Sequence, residues 1–261
     1  CAILLSGGVD SLSVGFAAHN IASSITAYSF HLQDTPSYDY TKSQEVAAHM
    51  GWTFVGVEVP TDDLVQDFHR LLGFGCEKKT HFECSFPFLY TYPAIKQTIV
   101  LSGWGADGYY GLSRSAIQKW DVKENKESLD AFRDDYFQPH KCAGYAVHNG
   151  IARHYDKTFI APYLDASVRD FFYQFDWYEL NTPQQKNHAR HAFPSFAEIG
   201  LVEDHINLHI GAGVPALFET LLDDRDINWL RRTRMLDVYK DWVKRHKRYG
   251  SSPATLDEFF T

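Results

Sequence analysis

Over the first hundred residues the apolar positions fall in short, dense blocks, each followed by a polar or glycine-bearing turn and then a stretch of helical spacing. Residues 2–5 (Ala-Ile-Leu-Leu) form a block long enough for a buried strand. Gly7 and Gly8 then mark a turn, because glycine takes backbone angles that other residues reach only at a cost, and 13–18 reads as a helix. The second block, 24–33, carries Ile25, Ala27, Phe30 and Leu32 and predicts a strand ending in a turn at Thr35 and Pro36. Residues 43–51 predict a short helix stopped at Gly51. Residues 52–60 predict a third strand, rich in β-branched residues and closed by Pro60. Residues 61–73 predict a helix with Thr61 as its N-cap, acids in its first turn and Gly73 at its end. The stretch 74–87 reads as a loop, 87–97 as a helix in spite of Pro93, and 98–103 as a fourth strand that runs into a second glycine turn over 102–111. Beyond residue 112 the strand pattern fades. Helices are expected over 127–138, 166–175 and 215–224, and 231–250 places Leu236, Tyr239, Trp242 and Val243 at helical spacing. The polar, charged stretch between 112 and 145 reads as a mobile loop or connection. It divides one domain into a sheet core (1–112) and a mainly helical part (113–261).

Strands alternating with helices predict an α/β fold, a Rossmann-like parallel sheet with helices on both faces. Ligands of such sheets sit beyond the carboxyl ends of the strands. Both glycine turns lie there, after the first and fourth strands. A glycine turn between strand and helix points free backbone N–H groups outward, which suits a phosphate. Taken alone, "LLSGGVDS" (4–11) is equally an ordinary strand-to-helix turn capped by Asp10 or Ser11. The second turn at the same end of the sheet favours the phosphate.

With 44% hydrophobic residues in 261, a sizeable core can form. No apolar stretch approaches the roughly 20 residues of a membrane span, and no charged-then-apolar leader precedes the first strand. The four cysteines, Cys1, Cys76, Cys84 and Cys142, do not look like a disulfide scaffold, so reduced thiols and a cytoplasmic location are expected. Cys76, His81 and Cys84 match no standard zinc spacing. His205 and His209 have metal-ligand spacing on a helix but no third partner. Both sets read as plain structural residues. The net charge of −8 speaks against a nucleic-acid face. It is uneven: 231–250 carries +6, leaving −14 elsewhere. That stretch reads as an amphipathic helix with a solvated basic face, or as a dock for an acidic partner or nucleic acid.

Ser6, Gly7, Gly8, Val9, Asp10 and Ser11 resemble the Ser-Gly-Gly-x-Asp-Ser signature of the ATP-pyrophosphatase (PP-loop) group. Later segments narrow the resemblance to the synthetase domain of the asparagine synthetase family. "VLSGWGADGYYGL" resembles that family's SGEGADELFGGY turn, "HNGIARHYDKTFIAPYLD" (148–165) its segment ending in PFLD, and "KNHAR" (186–190) its K-x-x-L-R. The matches run in family order from Ala2 to about Val214. The resemblance implies an adenine nucleotide alpha hydrolase-like fold and an ATP-consuming ligase that adenylates a carboxylate, releases pyrophosphate and lets ammonia or an amine attack the acyl-adenylate. It implies that Ser6, Gly7, Gly8 and Ser11 cradle the phosphates and that Asp10 and Asp107 hold Mg²⁺. Leu5 and Phe30 would receive adenine and ribose through main-chain contacts, and Ser102 and Gly103 would line the nucleotide. Lys186 and Arg190 either act near the phosphates or acyl-adenylate or, at i and i+4, decorate a helix face. Asp107 could also be a turn acid. Asp165 reads as a structural cap ahead of a substrate-site acid.

The match departs from the family in the acyl half. Trp104 and Gly108 stand where asparagine-forming members carry Glu, and Asn207 aligns roughly with a late-loop lysine that stabilises charge. An aromatic residue at 104 is similar to relatives that close β-lactam rings, which carry Tyr there. Full-length members place a glutaminase domain with an N-terminal cysteine nucleophile first. Here the first synthetase strand begins at once, so Cys1 is expected not to be that nucleophile. Nitrogen is then expected from free ammonia, a substrate's own amine or a separate glutaminase subunit. Three readings stay open: an amide ligase on a substrate other than aspartate, an enzyme adenylating a nucleobase or tRNA, and a nucleotide-binding module that has lost its chemistry.

Overall fold

The computed structural model describes residues 1–138, 141–200, 213–214, 217 and 231–250. Five strands, β1 (Ala2–Leu4), β2 (Thr26–Leu32), β3 (Thr53–Val59), β4 (Ile99–Leu101) and β5 (Thr158–Ile160), make one sheet in the order β3-β2-β1-β4-β5. Every pairing is parallel. The α-helices among the described residues are α1 (Val9–His19), α2 (Tyr38–His49), α3 (Leu64–Gly73), α4 (Lys79–Ser85), α5 (Phe88–Ala94), α6 (Ala106–Tyr110), α7 (Lys126–Tyr136), α8 (Ala143–His154), α9 (Ala166–Phe172), α10 (Trp177–Asn181), α11 (Asn187–Ala192) and α12 (Ser195–Glu198), with a further helix over Arg231–Tyr249.

The unbroken apolar blocks are explained by burial on both faces of the sheet. Ala2 and Leu4 of β1 enter one core, with Tyr28, Phe30 and Leu32 of β2 and the apolar sides of α3, α4, α5 and α8. Ile3 and Leu5 point the other way, into a second core with α1, α2, α6, α7, α9, α10 and α11. The expected α/β fold, with helices on both faces and a mainly helical later part, is therefore what forms. Among the described residues no helix is long and apolar enough to cross a membrane.

The boundaries differ from expectation where tertiary contacts override local signals. α1 starts at Val9 with Gly8 as an extended N-cap and no side-chain cap, so neither Asp10 nor Ser11 caps it. α2 starts five residues early because Ser37 caps it, its Oγ accepting from Tyr40 N at 3.2 Å. α3 begins at Leu64, so Thr61 is not its cap. The expected loop at 74–87 contains α4, whose Phe82 is buried in the core together with Phe86 just after it. That burial, rather than helix propensity, accounts for the helix. The described residues of the 112–145 stretch are not an open connection. They fold into a π-helical turn (Ala116–Trp120), α7 and the start of α8. Arg133 of α7 is fully buried, donates to Tyr109 O at 3.1 and 3.0 Å and pairs with Asp130 at 2.7 Å, which ties α7 to α6. β5, missed in the sequence, is three residues long with only Phe159 buried, too short to show a period. The expected 215–224 helix, apart from Leu217, and His205, Asn207 and His209 lie outside the described residues. The basic stretch is a helix as expected, and it is anchored: Trp242 and Val243 enter the core, His246 packs on His69 of α3, and Lys247 pairs with Glu77 at 2.7 Å.

Candidate active site

β1 sits in the middle of the sheet, and the chain leaves it in two directions, to β2 and β3 on one side and β4 and β5 on the other. Connections on the two sides diverge at the carboxyl ends of β1 and β4 and leave a crevice there. The two glycine turns form its floor. Gly7 lies at φ +69°, and a Cβ on it would come within 3.0 Å of Lys42. Gly103 lets the second turn touch the first: a Cβ there would stand 2.5 Å from the Asp10 backbone carbon and 2.7 Å from Ser11 N. Within the first turn Ser6 N donates to Ser11 Oγ at 3.2 Å, and Ser11 Oγ donates to Gly8 O at 3.1 Å. The turn is thus shaped by its own serines, at the positive end of α1.

Over this floor stands an ion cluster assembled from three distant segments. Lys186 Nζ lies 2.5 Å from Asp10 Oδ2 and 2.9 Å from Asp107 Oδ1. The lysine is 2% exposed. Its burial opposes its charge, but Asp10 and Asp107 outweigh that and hold its pKa above the ordinary lysine value. Of the two alternatives for Lys186, the helix face is not what forms. Lys186 precedes α11 with a left-handed backbone, φ +60°, held by its N–H donating to Asn181 Oδ1 at 3.2 Å. Asn181 is in turn fixed through its amide to Tyr110 O and Trp177 O, both at 3.0 Å. Arg190 lies one turn on, with Nε donating to Gln185 O at 3.0 Å. The two carboxylates keep 20% and 31% exposure towards the cleft. A pair of partly exposed carboxylates beside a glycine turn at a helix N-terminus is a donor set that suits Mg²⁺, which takes one or two protein carboxylates and completes its shell from phosphates and water. The residues fit that ion.

The crevice opens into a cleft of about 810 Å³, and every residue singled out for the nucleotide, the metal or catalysis lines it: Leu5, Ser6, Gly7, Gly8, Asp10, Ser11, Phe30, Ser102, Gly103, Trp104, Asp107, Lys186 and Arg190. Leu5 N already donates to Tyr28 O at 2.8 Å and Leu5 O accepts from Ser43 Oγ at 3.0 Å, so its main chain has only a carbonyl lone pair left to offer. Phe30 is better placed. Thr26 N donates to Cys1 O, and Tyr28 O accepts from Leu5 N, so the even residues of β2 turn their backbone towards β1. β1 stops at Leu4, opposite Tyr28, and Phe30 faces the gap beyond it. Asp165 does not line the cleft. It caps α9, accepting from Ser167 N at 2.8 Å, which agrees with the structural reading. Cys1 sits at the opposite, amino end of β1, its backbone nitrogen donating to Ser24 O at 3.0 Å. His81 and Cys84 line the cleft but Cys76 does not, and among the described residues no three potential ligands gather into a metal cage.

Sequence reasoning missed most of the other half of the cleft. His81, Ser85, Phe88, Tyr136 and His148 all face it, drawn from α4, α5, α7 and α8, and no motif or spacing joins them in the chain. Tyr136 explains one departure noted above. A Cβ on Gly108 would lie 2.4 Å from the Tyr136 ring, so the space a side chain at 108 would need is filled by a phenol. Burial pushes that phenol's pKa far above its ordinary value, and Asp107 adds to the effect. Trp104 rests on Tyr145 with ring centroids 5.4 Å apart. The half of the cleft away from the ion cluster is aromatic and carries no carboxylate at 104 or 108.

A protein-family model described as asparagine synthase matches residues 1–161. No curated protein matches the chain. The matched stretch contains all five strands, both glycine turns, Asp10 and Asp107. Lys186 and Arg190 lie past its end, and it is the fold that returns Lys186 to the two acids. Since the match spans more than half of the chain and includes the whole sheet, the protein belongs to the asparagine synthase family.

Proposed function

We propose that this protein is an AMP- and pyrophosphate-forming amide ligase that activates a carboxylate other than aspartate for attack by ammonia or an amine. Family membership supports an ATP-dependent amide ligase. The observation that carries the finer reading is the meeting of two glycine turns with the Asp10–Lys186–Asp107 cluster in one cleft at the switch point of the sheet. A carboxylate oxygen attacks the α-phosphorus, the bond to the β-phosphate breaks, and pyrophosphate leaves with the electron pair. The amine then attacks the acyl carbon and AMP leaves. Backbone N–H groups of the first turn, at the start of α1, receive the phosphates, with Ser6 and Ser11 holding the turn's shape. Lys186 supplies a fixed positive charge that needs no reorganisation, and Arg190 extends it. Asp10 and Asp107 would hold Mg²⁺, which supplies neutralisation of the leaving pyrophosphate. Ser102 and Gly103 border the nucleotide from the second turn. Trp104 can donate a hydrogen bond but cannot accept a proton, so it replaces neither carboxylate as a base. Nitrogen would come from free ammonia, from the substrate's own amine or from a separate glutaminase subunit.

The test is calorimetry of Mg·ATP binding together with pyrophosphate release across a panel of carboxylates, with and without ammonia. Asp10→Asn and Asp107→Asn are expected to lower the affinity for Mg·ATP by tenfold or more while the fold is retained. Equal affinity in both variants and the wild type would sink the metal assignment. ATP binding without pyrophosphate release on any carboxylate would turn the reading towards a binding module.

A further inference from the structure

Beyond the nucleotide half, the cleft is walled by one continuous run of ring contacts. Trp104 meets Tyr145 at 5.4 Å, Tyr145 meets Phe159 at 5.5 Å, and Phe159 lies nearly parallel to His148 at 5.5 Å. His148 meets Phe88 at 4.5 Å, and Phe88 meets Phe30 at 5.5 Å. Of these, Trp104, His148, Phe88 and Phe30 face the cleft. His81 of α4 closes the wall beside Trp104: its Nε2 and the indole Nε1 both lie 3.8 Å from the point where a Cβ on Gly144 would stand.

Set into this wall are three buried polar atoms with no hydrogen-bond partner among the described residues: His81 Nδ1, His148 Nδ1 and Ser85 Oγ. All three residues line the cleft; His148 is 7% exposed and Ser85 fully buried. A buried polar atom left unpaired costs about 1–3 kcal/mol. Other buried polar atoms without a partner, such as His69 Nδ1, Tyr92 Oη and His188 Nδ1, lie apart from the cleft; these three gather in one of its walls, as the polar groups of a ligand pocket do. Their chemistry restricts the ligand. Burial holds both imidazoles down, to about 4, Lys78 adding to the effect at His81 and His81 at His148. Both rings are therefore neutral at pH 7, each able to donate and to accept one hydrogen bond. An ammonium group beside His81 would be repelled by Lys78, which also lines the cleft. A carboxylate would be attracted by Lys78, which is exposed, but would lose its hydration against two uncharged rings, under the same burial that keeps those rings uncharged.

We infer that this aromatic wall, with His81, His148 and Ser85, is a specificity subsite for an uncharged, planar, hydrogen-bonding group, such as an aromatic ring bearing a carboxamide or hydroxyl. Calling its occupant the body of the acyl substrate rests on the ligase reading above; the subsite itself rests on the wall and the three unpaired atoms. The test is a titration of the full chain, labelled with ¹⁵N-histidine, with benzamide and its charged isosteres benzoate and benzylammonium, following imidazole resonances assigned through His81→Gln and His148→Gln. Benzamide is expected to shift both histidines and to bind at least about tenfold more tightly than either charged probe, the discrimination a site built on hydrogen bonds readily reaches. His148→Phe should weaken benzamide about tenfold, whereas His148→Gln, which keeps a donor and an acceptor, should retain the preference even if the phenylalanine variant fails to fold. Charged probes binding as well as benzamide, or benzamide binding without moving either histidine, would overturn the assignment. Mg·ATP affinity measured on the same wild-type sample separates the two ideas. Benzamide selectivity without ATP binding refutes the ligase reading and keeps the subsite; ATP binding without selectivity does the reverse.

Discussion

Lys186 shows how much can rest on one side chain. It lies 176 positions from Asp10 and 79 from Asp107, and it is the cation that lets two acids share one corner of the cleft. "KNHAR" read from the chain allows a helix face. The observed lysine is instead a left-handed residue ahead of the helix, because Asn181, itself buried, holds its N–H. Breaking a buried ion cluster by removing one partner costs about 3–5 kcal/mol. The acids here keep some water, so Lys186→Met is expected at the lower end, about 3 kcal/mol, by urea unfolding. Mg²⁺ should then raise the melting temperature of the variant more than that of the wild type, since a divalent ion can take over the neutralisation. A variant as stable as the wild type and indifferent to Mg²⁺ would show that the cluster does not hold the site together. Asp10, Asp107 and the glycines were legible as residues, and Lys186 as either a group near the phosphates or acyl-adenylate or a residue on a helix face; its pairing with the two acids was not.

At the scale of elements, the strands and the two turns could be read because each carries its own signal, an apolar block followed by glycine. The short helix α4 could not, since Phe82 and the neighbouring Phe86 are buried by partners far along the chain and not by any helical period of its own. The joint between the turns is where element packing meets function. Gly103→Ala would force a Cβ to within 2.5 Å of the Asp10 backbone and push α1 away from the second turn. A loss of about 1–3 kcal/mol is expected from such overpacking, with a parallel drop in ATP affinity. Gly73→Ala is the control: it stands in α3 with open space around its Cβ position, and should be neutral or gain about 0.5–1 kcal/mol. Equal behaviour of the two variants in urea unfolding would refute the idea that Gly103 is there for close approach.

Across the whole molecule, the cleft has two unlike halves, backed by the cores on the two faces of the sheet. The two glycine turns and the ion cluster make one; α4, α5, α8 and Trp104 make the other. An aspartate substrate would need a partner for its ammonium, and 104 and 108 offer an indole and a glycine whose space Tyr136 fills. Wild-type protein given aspartate, ammonia and Mg·ATP is therefore expected to form little or no asparagine by mass spectrometry, and Trp104→Glu should leave ATP affinity in place. Robust asparagine formation would restore the simplest activity of the family.

The sequence by itself determined the parallel α/β fold, the two glycine turns at the carboxyl ends of β1 and β4 and their acids, because those features are written in contiguous residues: strand blocks, glycines and a carboxylate at fixed spacing. It also carried the absence of acid at 104. Only the tertiary structure decided where Lys186 goes, that β5 completes the sheet, that the polar 112–145 stretch folds onto α6 through Arg133, and that His81, Ser85 and His148 share one wall. The physical reason is common to all four. Each depends on which segments the strand order brings side by side, and a local pattern of apolar and polar positions reports how deeply a residue is buried without reporting which neighbour buries it.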